Sequence, residues 1–593
     1  MLIEIHMIQN HSPSNLNRDD LGAPKTCFFG GATRARISSQ CLKRSIRNPG
    51  NPDDLHNREP GMFAQAMKGH LGFRTKLFPW LVAQVLDDPS IKRKFLDLGV
   101  AEEHYERSTK NAIVAACKTI ARKEGKEPPK EKTSKRDDRP QTPQLIFLGP
   151  GHAKKFIETL LTADNEHREH FLDPATVFES VFKQELTTTS LTDKQRERAL
   201  EAAWRIRHTE ARMAELRTII SAGEQETEAA EGPPAGGEPQ PADENQPGAD
   251  SDEAVAKLIA DGLDRLAAED AKGFESVTSS KGRKGEPRLE TKRDKPKKYG
   301  EFLDSLAAIH SGDAVDIALF GRMTTSDAFQ DVEAAMQVAH AISTHATVNE
   351  VDYFTAVDDL GKAGGGAAHV DEAMFNSACF YKYFSLDWDQ LVYNLAGPEP
   401  DQKANAEGHG KWKEELKPHA ERLAAAALGH FLRAAAQTSP SGKQNSFASN
   451  CDPCGILVEI KKSKTPTSYA NAFAEPVERI GKPDDDAPDE TSLEGRSVAC
   501  LADHVQALRR AYAVDSNLLW FSRSLSRFPF HYWDRSPDGK KLTSKPLTKR
   551  RFEVLDELVE AVVRETSELE WADVCKWLSD TQSAAKAAGS TEA

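Results

Sequence analysis

The chain has few cysteines, few aromatic residues and no long apolar run. Eight cysteines are scattered over 593 residues, which is too sparse for a disulfide framework and excludes the small disulfide-rich secreted class. No stretch of about 18 apolar residues occurs, so no membrane-spanning helix is expected. The N-terminus lacks a cationic segment followed by an apolar one, so it does not read as a signal peptide. We therefore expect a cytoplasmic protein with no membrane partner.

Positive charge is also scarce, but it is concentrated. The net charge is −14, and an acidic balance argues weakly against general nucleic-acid binding because the long-range field repels phosphate. Residues 1–50 nevertheless hold seven Lys/Arg against three Asp/Glu. Any binding of a polyanion should therefore depend on local basic patches.

Two or three structural units are expected at this length, and the pattern is that of an α+β protein. Periodicity predicts a helix over 38–47, helical segments over 61–120 and 153–219, and an amphipathic helix over 552–563. The acidic segment 221–253 and the basic run 281–298 have the composition of solvated linkers. Strands are predicted near 1–10, 144–148, 316–320, 376–384 and 454–461.

The segment 11–47 is the most informative part of the chain. It follows a strand-like start and mixes small residues, hydroxyl and amide donors, and cations, a composition that suits binding of a phosphate chain. The glycines at 30 and 31 would let the backbone approach a ligand closely, whereas Asn15, Asn17, Asp19 and Asp20 are expected to shape turns. The alternative is a solvated basic loop. The candidate contacts are the cations Lys25, Arg34, Arg36, Lys43 and Arg44 and the neutral donors Ser38, Ser39 and Gln40.

A second candidate is the loop 441–447 (SGKQNSF). Lys443, Gln444 and Asn445 offer successive donors just before a predicted strand, and such a loop suits a ribose-phosphate chain. Taken alone, an ordinary polar turn explains the same residues better.

The sequence also contains residues that suggest metal chemistry. Carboxylates at 352, 358 and 359 lie near His340 and His345, and carboxylate pairs can hold a divalent cation. The two histidines are five apart on an expected helix and would point in different directions, so capping and surface roles are favoured. Cys451 and Cys454 have the spacing of half a zinc site, but no second pair of ligands follows at a usual distance.

The motif segment resembles the opening of CasC, the repeated backbone subunit of the type I-E CRISPR surveillance complex (Cascade). Six further blocks continue the resemblance in the same order. They are 316–323 (DIALFGRM), 335–345 (AMQVAHAISTH), 354–360 (FTAVDDL), 375–381 (FNSACFY), 441–447 (SGKQNSF) and 469–473 (YANAF). The resemblance therefore extends over most of the chain, with apparent surplus at about 120–300, 396–420 and beyond 510.

The resemblance implies a hand-like architecture with a modified RNA-recognition-motif-like palm, a helical fingers insertion and a long hairpin thumb. An apolar thumb tip would wedge between nucleotides, and Met323 and Phe354 match that position. In this scheme the palm comprises 1–55, 299–315 and 376–510, the fingers 56–220 and the thumb 316–375. The segment 221–298 is a low-complexity insertion and 511–593 a C-terminal helical extension.

The function implied by the resemblance is non-catalytic. The chain would oligomerise head-to-tail along CRISPR RNA and present the guide to target DNA, with Cascade subunits and a recruited nuclease-helicase as partners. No metal or small cofactor is required. Two alternatives remain open. One is an RNA-cleaving backbone subunit of the type III kind, and the other is a general RNA-binding scaffold outside CRISPR systems.

Overall fold

In the computed structural model the described residues are 1–50, 59–98, 139–142, 146–162, 278–281, 287–290, 314–323, 331–356, 369–397, 414–478, 492–535 and 542–587, with scattered positions in 102–117. The acidic segment 221–253 and most of the basic run 281–298 lie outside these ranges. The helices are α1 (Ser39–Arg47), α2 (Met62–Ala66), α3 (Phe78–Leu86), α4 (Pro89–Asp97), α5 (His152–Thr162), α6 (Val315–Phe320), α7 (Trp388–Ala396), α8 (Lys417–Gln437), α9 (Gln444–Phe447), α10 (Leu493–Tyr512), α11 (Leu555–Ser567) and α12 (Trp571–Ala587).

The strands of the first half of the chain are β1 (Leu2–Ser14), β2 (Thr26–Phe29), β3 (Ala32–Ile37), β4 (Phe73–Thr75), β5 (Ile146–Leu148), β6 (Thr278–Lys281) and β7 (Pro287–Glu290). Those of the second half are β8 (Met336–Val338), β9 (Ala341–Ser343), β10 (Glu350–Ala356), β11 (His369–Asp387), β12 (Gly455–Lys461), β13 (Ser516–Ser522), β14 (His531–Arg535), β15 (Leu542–Pro546) and β16 (Arg551–Phe552). The α+β class is therefore as predicted.

A sheet of ten strands organises the molecule. Its main order is β16-β13-β12-β1-β11-β9-β3-β2, and β8 and β10 also pair with β11. The long strands β1, β11 and β12 form its centre, where β1 pairs antiparallel with both neighbours. Because both faces are covered there, β1, β12 and the second part of β11 are buried almost without interruption.

Helices cover the two faces of the sheet. On one face Ile3, Ile5 and Met7 of β1 contact a core built by α7, α8, α11 and α12. On the other face Tyr381 and Tyr383 of β11 contact α10 and the turn at Ala470–Phe473. A separate small core of α3, α4, α5 and β5 lies in the predicted fingers region. The described elements of this core are mainly helical, as the periodicity of 61–120 and 153–219 predicted.

One strand of the sheet continues beyond its edge. The first part of β11 pairs only with β10, in a hairpin that runs from Glu350↔Phe375 to Ala356↔His369. Every described residue of β10 is exposed, so this hairpin projects from the body. It corresponds to the distal part of the predicted thumb.

Three secondary-structure predictions are wrong. The segment 316–320 is not a strand but the buried helix α6, because a short apolar run covered on all sides carries no periodicity that distinguishes the two. His340 and His345 are not on a helix, since 336–338 and 341–343 are strands. The region 511–593 is not purely helical, because β13 joins the main sheet and β14–β16 follow it.

Candidate nucleic-acid interface

The loop after β1 is a rigid, internally bonded structure. The Asn17 carbonyl accepts the Lys25 N–H at 2.8 Å, and the Lys25 carbonyl accepts the Arg36 N–H at 2.9 Å. The Asn15 amide donates to the carbonyls of Gly22 and Met374 at 2.8 and 2.9 Å. The Asp19 carboxylate accepts the N–H groups of Leu21 and Ala23. These are the turn-shaping roles predicted for asparagine and aspartate here.

The hairpin of β2 and β3 anchors this loop against the body. Gly30 and Gly31 both have positive φ, +57° and +74°, as a two-residue hairpin turn of the I′ type requires. A Cβ on Gly30 would lie 1.6 Å from the carbonyl oxygen of Ala474. Position 30 can therefore only be glycine, and the turn is held against the 470–474 segment.

Lys25 and Arg36 line a narrow cleft beside this hairpin. Ser14, Asn17 and Asn376 supply polar groups to the same cleft, and Phe380 lies at its base. The Nε of Arg36 is buried and has no hydrogen-bond partner. Burial, and then the charges of Arg36 and Lys25, lower the pKa of the nearby His340, whose Nδ1 accepts the Ser39 N–H at 2.9 Å. Two cations therefore face an opening that contains polar groups.

Helix α1 adds further cations next to the cleft. Ser38 caps it by accepting the Cys41 N–H, and Arg44 is exposed. Lys43 lies over the ring of Phe320 at 5.6 Å, and burial, then the charge of Arg74, lowers its pKa. Ser39 and Gln40 occupy the first turn, where their side-chain oxygens are 3.3 Å apart. Arg47 differs from these cations, because it is ion-paired with the buried Asp316.

The loop 441–447 lies against the N-terminal loop. A Cβ on Gly442 would lie 2.4 Å from the Leu16 carbonyl oxygen and 2.6 Å from that of Asn15. Lys443 is in the left-handed region with φ of +46°. The Gln444 amide donates to the carbonyls of Pro440 and Ser449, while Asn445 is exposed. The fold thus brings together the two loops that the sequence singled out separately.

Arg34 does not belong with the surface cations, and this part of the prediction is corrected. Its side chain is fully buried. The guanidinium donates to the carbonyls of Phe29, Ser343, Phe473 and Ala474 at 2.8 to 3.2 Å. Because the bonds to Ser343, Phe473 and Ala474 hold the β2–β3 hairpin on the body, Arg34 positions the site and is not a surface contact.

Arg74 is a cation that sequence reasoning missed. It lies over the ring of Phe147 at 5.1 Å. Burial, then the charge of Arg47, lowers its pKa, and Arg44 contributes in the same direction. Nothing in the sequence around position 74 indicates this proximity, because it arises from the packing of β4 and β5 beside α1.

The two wedge candidates are both exposed. Met323 is 91% exposed and Phe354 45% exposed, so neither is the core residue that an apolar side chain usually is. Phe354 lies on the projecting hairpin, 6.5 Å from the ring of His369. Met323 follows α6 and lies outside the hairpin.

The residues that suggested metal chemistry do not form a cluster in the described part of the chain. Asp352 is exposed on the projecting hairpin, whereas His345 is buried in the body. Positions 358 and 359 lie outside the described residues. The Cys454 thiol is buried against the Ile8 carbonyl.

One buried group has a ligand arrangement that could hold a metal ion. Oxygen and nitrogen atoms of Glu4, His6 and Glu459 lie within 4.8 Å of one another. The Lys461 ammonium is ion-paired with both carboxylates, and Arg509 lies 3.3 Å from Glu459. Two carboxylates are thus already balanced by two cations, and an added metal ion would leave an excess of buried positive charge.

The fold and the cleft define an α+β protein with a cationic, polar groove at one end of a mixed sheet. The chain belongs to the family of CT1975-like proteins (Cas_CT1975), whose model matches residues 3–205 and 181–528. This match identifies the family but does not by itself assign the chain to the CasC type or to a type I-E complex. No curated protein matches the chain.

Chains of two solved structures are similar to this one. A chain of a "CRISPR RNA-guided surveillance complex, pre-nicking" is similar with a TM-score of 0.48 and 21% identity, covering 95% of this chain and 100% of that one. A chain of a "CRISPR RNA-guided surveillance complex" is similar with a TM-score of 0.37 and 16% identity, covering 95% and 99%. No described helix is long and apolar enough to cross a membrane.

Proposed function

We propose that this protein is a non-catalytic backbone subunit of a CRISPR effector complex that binds CRISPR RNA through its phosphates. The observation that carries the proposal is the set of cations around the cleft. Lys25, Arg36, Arg44 and Lys443 form no ion pair within the described residues, although the protein as a whole has an excess of acids. Cations held in place without carboxylate partners are suited to bind phosphate.

The finer assignment is a CasC-type subunit of a type I-E complex. In this role the chain holds the RNA backbone and leaves base edges free, so guide–target pairing provides sequence specificity. Copies of the chain would assemble head-to-tail along the RNA, through a heterologous interface that extends until the RNA or another subunit ends it. Other Cascade subunits, target DNA and a recruited nuclease-helicase are the remaining proposed partners, and the protein would act in the cytoplasm.

The exposed hairpin would contact the RNA or a neighbouring copy. An apolar side chain inserted at a base step replaces lost stacking with its own contacts. Phe354 is the better candidate of the two, because it lies on the element that projects from the body.

Point substitutions test the cleft. Arg36→Ala, Lys43→Ala and Lys443→Ala should each weaken RNA binding across sequences and flatten the dependence of log K on log salt by about one. Lys462→Ala, at an exposed lysine just after β12, is the matched control and should leave the slope unchanged. If all three cleft variants keep the wild-type affinity and slope, the assigned site is wrong.

Purification of the assembled complex tests the function as a whole. The chain is expressed with its companion subunits and a CRISPR array, and the RNA that copurifies is sequenced. A uniform species of repeat plus spacer is expected. Heterogeneous cellular RNA would instead support a general RNA-binding scaffold. RNA cut at regular intervals, with cutting lost in Asp352→Ala or Asp358→Ala, would support the type III kind of backbone subunit.

A further inference from the structure

Three buried polar side chains on one part of the central sheet each have an atom without a hydrogen-bond partner among the described residues. Gln9, His11 and Lys382 have no solvent exposure. The Oε1 of Gln9, the Nε2 of His11 and the Nζ of Lys382 have no hydrogen-bond partner. A buried polar atom without a partner usually indicates a bound water or ion.

The register of the strands places the three on the same face. Met7 pairs with Lys382 and Gln9 with Phe380 in adjacent strands, and side chains alternate between faces along a strand. The ring of Phe380 lies 5.8 Å from that of His11, edge to face. Gln9, His11 and Lys382 therefore project from the face that carries Met7.

The segment that follows α9 covers this place. The Gln9 amide donates to the Cys451 carbonyl, and Nδ1 of His11 lies 3.5 Å from Oγ of Ser449. Ser449 is itself buried. This segment follows directly on the loop 441–447 that carries Lys443.

The group carries a positive charge that the described residues do not balance. Burial alone lowers the pKa of Lys382, to about 8, so the ammonium form still predominates at neutral pH. Burial, and then the charge of Lys382, lowers the pKa of His11 to about 3, so His11 is neutral. Elsewhere in the same sheet the buried Lys461 is paired with two carboxylates, whereas no carboxylate of the described residues pairs with Lys382.

We propose that the space beside Lys382 and His11 binds a small monovalent anion of the halide class. The Lys382 ammonium supplies charge and a donor. Because Nδ1 of His11 faces Ser449, its Nε2 can carry the proton and act as the second donor. A water molecule would satisfy the donors but leave the buried charge without a counter-ion, which is unfavourable in a low-dielectric interior. The complete enclosure of both side chains favours a monatomic ion over phosphate.

Anomalous scattering from crystals grown in bromide tests the site directly. A bromide peak in contact with Nζ of Lys382 and Nε2 of His11 is expected in the full-length protein. A water molecule bridging these atoms, with no anomalous peak, would overturn the proposal. The proposal would also be overturned if this space were filled by an RNA phosphate oxygen, and only in the RNA complex. Because no RNA is needed for the first crystal, the result is independent of the proposed function.

Thermal unfolding provides a second readout. Replacing gluconate by chloride at constant ionic strength should raise Tm by about 2 °C, because an ion that binds only the folded state stabilises it. Lys382→Met, which keeps the length of the side chain and removes the charge, should abolish this response, whereas Lys462→Met at an exposed position should keep it. An identical chloride response in both variants would contradict the site even if both fold well.

Discussion

At the scale of single residues, two arginines on one strand have different roles. Arg34 and Arg36 are two apart in β3 and share a face of the strand, yet only Arg34 is covered by the 470–474 segment. All three of its guanidinium nitrogens donate to backbone carbonyls, whereas the buried Nε of Arg36 has no hydrogen-bond partner among the described residues. Charge and spacing in the sequence do not distinguish them.

This difference gives a paired prediction. Arg34→Met should lower the free energy of unfolding by about 3 kcal/mol, because several buried carbonyl oxygens lose a charged donor. It should leave the salt slope of RNA binding unchanged under conditions where the variant is folded. Arg36→Met should instead flatten the salt slope of RNA binding and change the free energy of unfolding only slightly. Urea denaturation and RNA titrations of both variants measure the two effects, and similar behaviour of the pair would contradict the division of roles.

Two buried histidines lead to a second prediction, about the free energy of unfolding at acid pH. Burial is the main cause that lowers the pKa of both His11 and His152 to about 3. Between about pH 6.5 and pH 3 the unfolded chain binds a proton at each of these histidines and the folded protein does not. The free energy of unfolding should therefore fall as the pH is lowered through this window, by up to about 1.4 kcal/mol per pH unit for each histidine.

The variant His152→Phe measures one share of this effect. Between pH 7.5 and pH 5.0 the free energy of unfolding of this variant, measured by urea denaturation, should fall by about 2 kcal/mol less than that of the wild type. Equal pH dependence of the two proteins would show that His152 is not held neutral in the folded state.

At the scale of elements, β11 serves two purposes. Its first part forms the exposed hairpin with β10, and its second part is the strand next to β1 at the centre of the sheet. The hairpin adds little buried surface, so it is not held by the core and its side chains remain available for contacts. Helix α6 shows the opposite case. Its short apolar segment is buried in the core. The Asp316 carboxylate at its start accepts the Gly72 N–H at 2.7 Å.

The hairpin should therefore tolerate substitution without loss of stability. We expect Phe354→Ala to change the free energy of unfolding by less than about 0.5 kcal/mol, since exposed positions away from packed features have small effects. If Phe354 wedges between nucleotides, the variant should alter the periodic nuclease-protection pattern of the assembled RNA. A large drop in stability would show that the side chain is part of the folded body, and an unchanged pattern would remove it as the wedge.

At the scale of the whole molecule, the last helices complete the core. The family match ends at residue 528, but α11 and α12 follow it and cover the alanine-rich helix α8. Trp571 lies against Gly429, where an added Cβ would be 2.3 Å from its ring, and the Arg433 guanidinium lies over it at 5.4 Å. The C-terminal part is therefore integrated with the sheet.

Trp571→Ala should accordingly destabilise the entire protein. The expected loss is about 3 to 5 kcal/mol, because a large buried ring is replaced by a cavity against α8. Chemical denaturation should show an earlier transition for the whole sheet. A matched change on the same helix, Lys576→Ala, should have little effect, because Lys576 has no ion pair in the described residues. Equal stability of Trp571→Ala and the wild type would mean that the C-terminal helices are dispensable.

Much of the local structure followed from the sequence. The strand-like start at 1–10, the helical periodicity of 38–47 and the amphipathic pattern near 552–563 predicted elements that the structure contains. The two loops with donors and cations were also identified, because turn residues and placed charges are local features. The short apolar run at 316–320 was not assigned correctly, since complete burial removes the periodicity that separates strand from helix.

The sequence by itself determined the α+β class, the turn chemistry of the N-terminal loop and the set of candidate cations. Only the tertiary structure decided which cations face the cleft, that the loop at 441–447 lies against the loop at 15–25, and that Arg34 is buried. The physical reason is that exposure and partnership depend on contacts between residues hundreds of positions apart. Arg34 reaches Ala474, Gly442 reaches Leu16, and the buried charge of Lys382 becomes evident only when β1, β11 and the 449–451 segment are seen together.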